Sequence, residues 1–269
     1  MNPICCPLCR SSFIQTSPHA LCSSGHSFDR AKEGYLNLLP VHKKNSKEPG
    51  DSREQLRARQ LFLEAGHYHI LLDNLVGLLP SAAINLIDIG CGEGYFTRGI
   101  CQAMPEGANI LGVDIAKEGV RLAAQANRRQ GLNADYIVAS NFDLPYQTGQ
   151  ADAVVRIFAP SRDAELHRVL KTGGLLIIVA PAPKHLINFR QAIYHDVLDH
   201  EAPQLPEGFS LVKQHQATGT IELEEPEQIL SLLRMTPFSW RMPESQKQEI
   251  AKQAFSDVIS FDYSVYQKN

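Results

Sequence analysis

Five short apolar runs dominate the middle of the chain: "AINLIDIG" (83–90), "ANILGVDI" (108–115), "ADYIVAS" (134–140), "ADAVVRIF" (151–158) and "GLLIIVAP" (174–181). Near-continuous apolar runs of this length belong to strands covered on both faces, and the helix-length segments between them are crossovers joining parallel neighbours. The pattern predicts an α/β fold: a mainly parallel sheet with helices on both faces and a ligand site at the carboxyl ends of the strands. With 269 residues and 43% hydrophobic composition, the chain has material for that core and one small extra module. No eighteen-residue apolar run appears, and the first thirty positions lack the features of a secretory signal, so the expectation is a cytoplasmic chain without a membrane partner.

The first strand end reads Asp88-Ile-Gly90-Cys-Gly92-Glu93-Gly94-Tyr95. Glycines at a strand-to-helix turn let backbone approach a ligand, and the helix N-terminus beyond offers amide donors. The spacing is GxGxG, so Tyr95 stands where the dinucleotide fingerprint GxGxxG has its third glycine. Twenty residues past Gly94, at the end of "NILGVD", Asp114 is positioned to accept both hydroxyls of a ribose. An acid at that point suits NAD and S-adenosylmethionine alike, but "DIGCGEG", with an acid leading the turn, is the S-adenosylmethionine form. The turn predicts cofactor contacts from Asp88, Gly90, Gly92, Gly94 and Asp114.

Four of the six cysteines fall in the first twenty-two residues. Cys6-Pro-Leu-Cys9, twelve residues, Cys22, three residues and His26 make two pairs at the spacing of a tetrahedral Cys3His zinc site. Four protein ligands leave no open position, which makes the ion structural. Cys5 and His19 are alternative ligands, although only Cys6 completes the CxxC. Phe28, Tyr35, Leu36, Leu38 and Leu39 would pack a module too small to hold together without the ion. The expected organisation is a zinc module over 1–40, a basic linker and helix start over 41–60, and a larger domain over 61–269.

Net charge is −3, yet residues 1–60 carry nine Lys/Arg against five Asp/Glu, leaving the rest at −7. A basic segment beside a zinc module in an otherwise acidic chain reads as an RNA contact, with Lys43, Lys44 and Lys47 in a loop and Arg57 and Arg59 on a helix. Asp51-Ser52 is the expected cap of that helix, and Gly66 its stop.

Taken together, these elements resemble class I S-adenosylmethionine-dependent methyltransferases. With the Cys3His module, "AKEGYLNLL", "PGDS", "FLEAGHY", "DIGCGEGYFT", "RIFAP", "KTGG" and "MTPFSWR", the whole chain is similar to the bacterial RlmA-type 23S ribosomal RNA guanine-N1 methyltransferases. The resemblance implies a Rossmann-like sheet plus a small N-terminal zinc module, S-adenosylmethionine and structural zinc as cofactors, and methylation of one guanine in hairpin 35 of 23S rRNA. It implies cofactor contacts from Tyr68 and His185, and from Tyr95, Phe96 and Thr97 after the glycine loop, and it suggests a homodimer. Beside the adenine, where relatives often carry an acid, this chain offers Asn141, with Asp143 as the alternative.

Guanine N1 carries a proton that must leave before or during transfer. The end of the fourth run, "RIFAPS", supplies the expected substrate-side residues: Phe158 to stack a flipped base, Pro160 to fix the turn, and Arg156 to stabilise developing negative charge. No general base stands out. Phe238, Trp240 and Arg241 form a second candidate stacking surface for RNA. The competing readings are a methyltransferase of another RNA or of a small molecule, and a non-catalytic zinc-dependent RNA-binding protein.

Overall fold

A computed structural model describes residues 3–41, 49–82, 84–193, 200, 203–237 and 242–269. Strands β1 (Phe13–Gln15), β2 (His19–Cys22) and β3 (Ser27–Asp29) form a small antiparallel sheet, followed by β4 (Leu36–Asn37). Helices α1 (Arg53–Glu64) and α2 (His69–Val76) lead into the alternating series β5 (Asn85–Ile89), α3 (Tyr95–Ala103), β6 (Asn109–Asp114), α4 (Lys117–Arg129), β7 (Ala134–Val138) and β8 (Ala151–Ile157). The series continues through α5 (Asp163–Val169), β9 (Leu170–Pro181) and α6 (Ile187–Ile193). It closes with β10 (Phe209–Leu223), α7 (Pro226–Met235), α8 (Glu244–Ile250) and β11 (Phe255–Lys268). Among the described residues no helix is long and apolar enough to cross a membrane.

The main sheet has the order β10-β11-β9-β8-β5-β6-β7-β4. It is parallel from β9 to β4, and β11 inserts antiparallel between β9 and β10. The five expected apolar runs are its five central strands. Chain order reverses at β5, with β6 and β7 on one side and β8 and β9 on the other, so the crevice of an open α/β sheet lies at the carboxyl end of β5.

The zinc module is not an appendage. Leu36 and Asn37 of β4 pair in parallel with Ile137 and Val138, adding the module's last strand to the main sheet. Leu36 and Leu38 are fully buried in the core with Ile87, Ile89, Leu111 and Val113. On the same side, Cys5 N–H donates to the Pro145 carbonyl (2.9 Å), and Gln147 N–H to that of Pro3 (3.0 Å). Residues expected to pack a separate small core thus pack the large one.

Helix α1 starts where the sequence indicates. Ser52 Oγ accepts from Gln55 N–H and Gln55 Oε1 accepts from Ser52 N–H, a reciprocal capping box, and Gly66 (φ 86°) follows the C-terminus. Its buried face, Leu56, Phe62 and Leu63, packs chiefly against α7 and also touches α3 and α4, where Leu56 reaches Gly119.

Candidate cofactor and metal sites

The four predicted metal ligands converge. Their donor atoms all lie within 4.8 Å of one another: Cys6 Sγ to His26 Nδ1 is 3.5 Å, Cys22 Sγ to His26 Nδ1 is 3.5 Å, and Cys9 Sγ to Cys22 Sγ is 3.6 Å. Tetrahedral zinc with its usual bond lengths of about 2.3 Å to sulfur and about 2.0–2.1 Å to nitrogen puts ligand atoms roughly 3.5–3.8 Å apart, so the cluster matches the ion. Gly25 (φ 82°) makes the second knuckle, its N–H donating to the Cys22 carbonyl (3.0 Å). Ser11 Oγ lies 3.0 Å from Cys9 Sγ, and this bond holds the Cys9 thiol down to about 5; burial pushes Cys6 up to about 11. Bound zinc would hold both as thiolates. Cys5 is buried away from the cluster, tied by its backbone to Pro145, and His19 lies in β2 outside it.

At the carboxyl end of β5 the chain turns through Gly90 (φ 74°), Gly92 (φ 54°) and Gly94 (φ 80°), all in the left-handed region. A Cβ at Gly90 would collide with that of Ala159, and one at Gly94 would lie 2.6 Å from that of Ala123. The turn therefore admits no side chain at either end. Asp114, at the tip of β6, fixes its middle: Oδ2 accepts from Gly92 N–H (2.9 Å) and Oδ1 from Ala116 N–H (2.7 Å). Burial raises the Asp114 carboxyl, with the two amide bonds opposing. Thr97, in the first turn of α3, donates to Asp88 Oδ2 at 2.5 Å, so it orients the leading acid of the turn. Burial raises Asp88 to about 7. Tyr95 and Phe96 meet edge to face, ring centroids 5.1 Å apart, and pack on the core behind the turn.

Glu93 escaped the sequence reading although it stands inside the motif. Its carboxyl is buried, raised to about 7 by that burial with Arg59 opposing, and Oε2 has no partner among the described residues.

The second wall is the segment after β7. Asn141 Nδ2 reaches the Pro160 carbonyl (3.4 Å), while Oδ1 is buried without a partner among the described residues. An acceptor so placed fits an exocyclic amine. Asp143, the alternative, instead forms an ion pair with Arg10 of the zinc module, which draws it away from the turn.

Tyr68 and His185 meet at 3.1 Å (Oη to Nε2), both buried. His185 Nδ1 accepts from Ser260 N–H (3.2 Å), which assigns the ring proton to Nε2 and makes Tyr68 Oη the acceptor. The phenol proton is thereby left to donate elsewhere. Burial depresses His185 to about 3 and keeps it neutral. Phe261 backs both rings, at 5.0 Å from Tyr68 and 4.9 Å from His185.

Beyond β8, Phe158 (φ 53°) is 46% exposed, its ring centroid 6.0 Å from that of Phe261. Arg156 does not join it. Its Nη1 donates to Ser161 Oγ (2.7 Å), and it sits on the α5 side of the sheet near Asp163, so it braces the turn carrying Pro160.

Of the basic residues, Arg57 is exposed as expected. Arg59 turns the other way: it pairs with Asp51 (2.6 Å) and lies over Gly92, not on an outer RNA-facing surface. The reason is helical period. Arg59 shares a face with the buried Leu56 and Leu63, whereas Arg57 does not. Lys43, Lys44, Lys47, Trp240 and Arg241 lie outside the described residues.

This sheet, turn and acid pair define a class I S-adenosylmethionine-dependent methyltransferase carrying a structural zinc ribbon. The comparisons agree: a zinc ribbon described as "RlmA, N-terminal" matches residues 4–47, and a methyltransferase domain matches 86–174. The 23S rRNA (guanine(748)-N(1))-methyltransferase of Streptomyces fradiae is 31% identical over 259 residues, covering 92% of this chain and 89% of that one. A Bacillus subtilis (strain 168) protein, YxjB, named as a candidate 23S rRNA (guanine-N(1)-)-methyltransferase, is 30% identical over 269 residues, covering 94% and 92%. The chain belongs to the 23S rRNA (guanine-N1)-methyltransferase family. The YcgJ protein of Bacillus subtilis shares the fold, with a TM-score of 0.50 at 16% identity over 76% of this chain and 99% of that one.

Proposed function

We propose that the chain methylates N1 of a guanine in hairpin 35 of 23S rRNA, working in the cytoplasm. The observation that carries this reading is what gathers at the carboxyl ends of β5 to β8. There the glycine turn with Asp114 and the Asn141 Oδ1 that has no partner among the described residues meet the turn of the exposed Phe158, whose neighbour Ala159 stands against Gly90 and whose Pro160 carbonyl accepts from Asn141.

In this reading Gly90, Gly92 and Gly94 admit the methionine end of the cofactor, Asp114 takes the ribose hydroxyls, and Asn141 Oδ1 accepts from the adenine amine. Each carboxylate oxygen of Asp114 uses one lone pair on the backbone and keeps another for a hydroxyl. Tyr68, with its oxygen fixed by His185, donates its proton toward the same pocket. Tyr95 and Phe96 act from behind the turn, and Thr97 acts through Asp88.

S-adenosylmethionine supplies an activated methyl on a sulfonium leaving group, so the protein's part is alignment of the acceptor nitrogen. Phe158 stacks the extruded guanine, and Pro160 with Arg156 holds the stacking turn in place. The N1 proton passes to solvent as the methyl is transferred. The zinc ribbon and the basic segment after it favour a polyanionic substrate over a small molecule.

The test is a reaction of purified protein, labelled S-adenosylmethionine and unmodified 23S rRNA, followed by digestion to nucleosides. Label in 1-methylguanosine, mapped to hairpin 35, is the expected result. Label in another nucleoside or another hairpin overturns the assignment.

A further inference from the structure

Arg59 is the unabsorbed group in the cofactor site. It sits on α1, outside the glycine motif and before the sheet begins, yet a Cβ at Gly92 would lie 3.4 Å from its Nη1. Nη1 pairs with Asp51 at 2.6 Å, and Asp51 is its ion-pair partner among the described residues. The Asp51 turn is itself pressed on the site, since a Cβ at the preceding Gly50 would lie 2.8 Å from that of Ala116. Asp51 thus aims the guanidinium, and the fork has donors to spare.

Charge around the turn shows why a cation is needed there. Asp88 and Glu93 are buried carboxyl groups at the turn, and Asp114 is a partly exposed one beside them. They suit the sulfonium and ammonium of S-adenosylmethionine, but its carboxylate would arrive among like charges. Arg98, the other buried cation nearby, donates to the Glu93 carbonyl (2.8 Å) and pairs with Glu64. Among the described residues, Arg59 is the cation that lies over the turn with donors left to give.

We infer that Arg59, aimed by Asp51, binds the α-carboxylate of S-adenosylmethionine through a charge-assisted fork and thereby selects the intact cofactor over its decarboxylated form. This rests on the reading of the 90–94 turn as the cofactor pocket. It gives α1 and the turn that precedes it a part in cofactor binding.

The experiment is calorimetric titration of the full-length, zinc-loaded protein with S-adenosylmethionine and with decarboxylated S-adenosylmethionine. The wild type should prefer the intact cofactor by about 10- to 100-fold, the range for a charged hydrogen-bonded pair. Arg59→Gln keeps a hydrogen bond available to Asp51; it should weaken S-adenosylmethionine by a similar factor while leaving the decarboxylated form unchanged or tighter. Arg59→Lys, which keeps the charge without the fork, should restore part of the preference. Equal wild-type affinity for the two ligands, an undiminished preference in Arg59→Gln, or an equal loss of both ligands in that variant overturns the inference. Failure of the wild type to bind either ligand overturns the reading of the turn itself.

Discussion

Arg10, one residue past the metal ligand Cys9, is ion-paired with Asp143, two residues past Asn141, and its Nη1 also donates to the Leu144 carbonyl at 2.7 Å. One side chain thus spans from the zinc knuckle to the wall of the proposed adenine pocket. Arg10→Ala should leave zinc content unchanged, as measured by elemental analysis, but weaken S-adenosylmethionine roughly 3- to 10-fold. That effect exceeds a simple half-exposed ion pair because the carbonyl bond goes with it. Unchanged cofactor affinity would mean that the 140–147 segment holds its shape alone.

The same linkage alters what zinc loss should do. A detachable module would lose RNA binding on mutation of Cys9 and keep the cofactor. With β4 paired to β7 and Leu36 and Leu38 in the main core, Cys9→Ser should lower the melting temperature of the whole chain. Loss of even about 3 kcal/mol corresponds to roughly 6–12 °C for a domain of this size. S-adenosylmethionine affinity should fall with it. Scanning calorimetry showing an unshifted main transition would contradict the joined architecture.

Phe158 stands at the mouth of the crevice with nearly half its surface exposed. Phe158→Ala should leave S-adenosylmethionine binding intact and reduce methyl transfer to RNA by about 10- to 100-fold, the size of a lost base-stacking contact. Phe158→Trp should retain most activity. If Phe158→Ala loses cofactor and activity in parallel, the residue is a wall of the cofactor pocket.

His185 titrates near 3 in the folded chain against an ordinary 6.5, chiefly from burial. Between those values the unfolded chain binds a proton that the folded chain does not, so this group's contribution to stability falls as pH drops below about 6.5. Asp88 and Glu93, both raised to about 7, act in the opposite sense from about pH 7 down toward 4. Comparing His185→Gln with wild type cancels those two. Relative to wild type, the variant's stability in urea should improve by up to about 1.4 kcal/mol per pH unit as pH falls from 6.5. A pH-independent difference would show that His185 protonates in the fold as it does in the unfolded chain, and would contradict its depression by burial.

Local pattern carried much of this molecule. The five central strands, the glycine turn, the Ser52 cap and the four metal ligands were all legible, because each depends on residues near one another in sequence. Features that depend on distant partners were not. Leu36-Asn37 is a strand only because β7 offers an open edge. β10 is exposed over Ser210–Gln216 and lacks an apolar alternation there, and it is ordered by long antiparallel pairing with β11. The charge of Arg59 suggests RNA, whereas its spacing from Leu56 and Leu63 points inward, and nothing in the pattern marks the burial of Glu93 between its glycines.

The central claim, guanine N1 methylation of 23S rRNA, is most directly tested by primer extension on 23S rRNA from cells with and without the gene. N1 methylation blocks Watson–Crick pairing and halts reverse transcriptase. The account predicts a stop at a guanine of hairpin 35 that disappears with the gene and returns when the gene is restored. A stop that persists without the gene, or none in its presence, would contradict it.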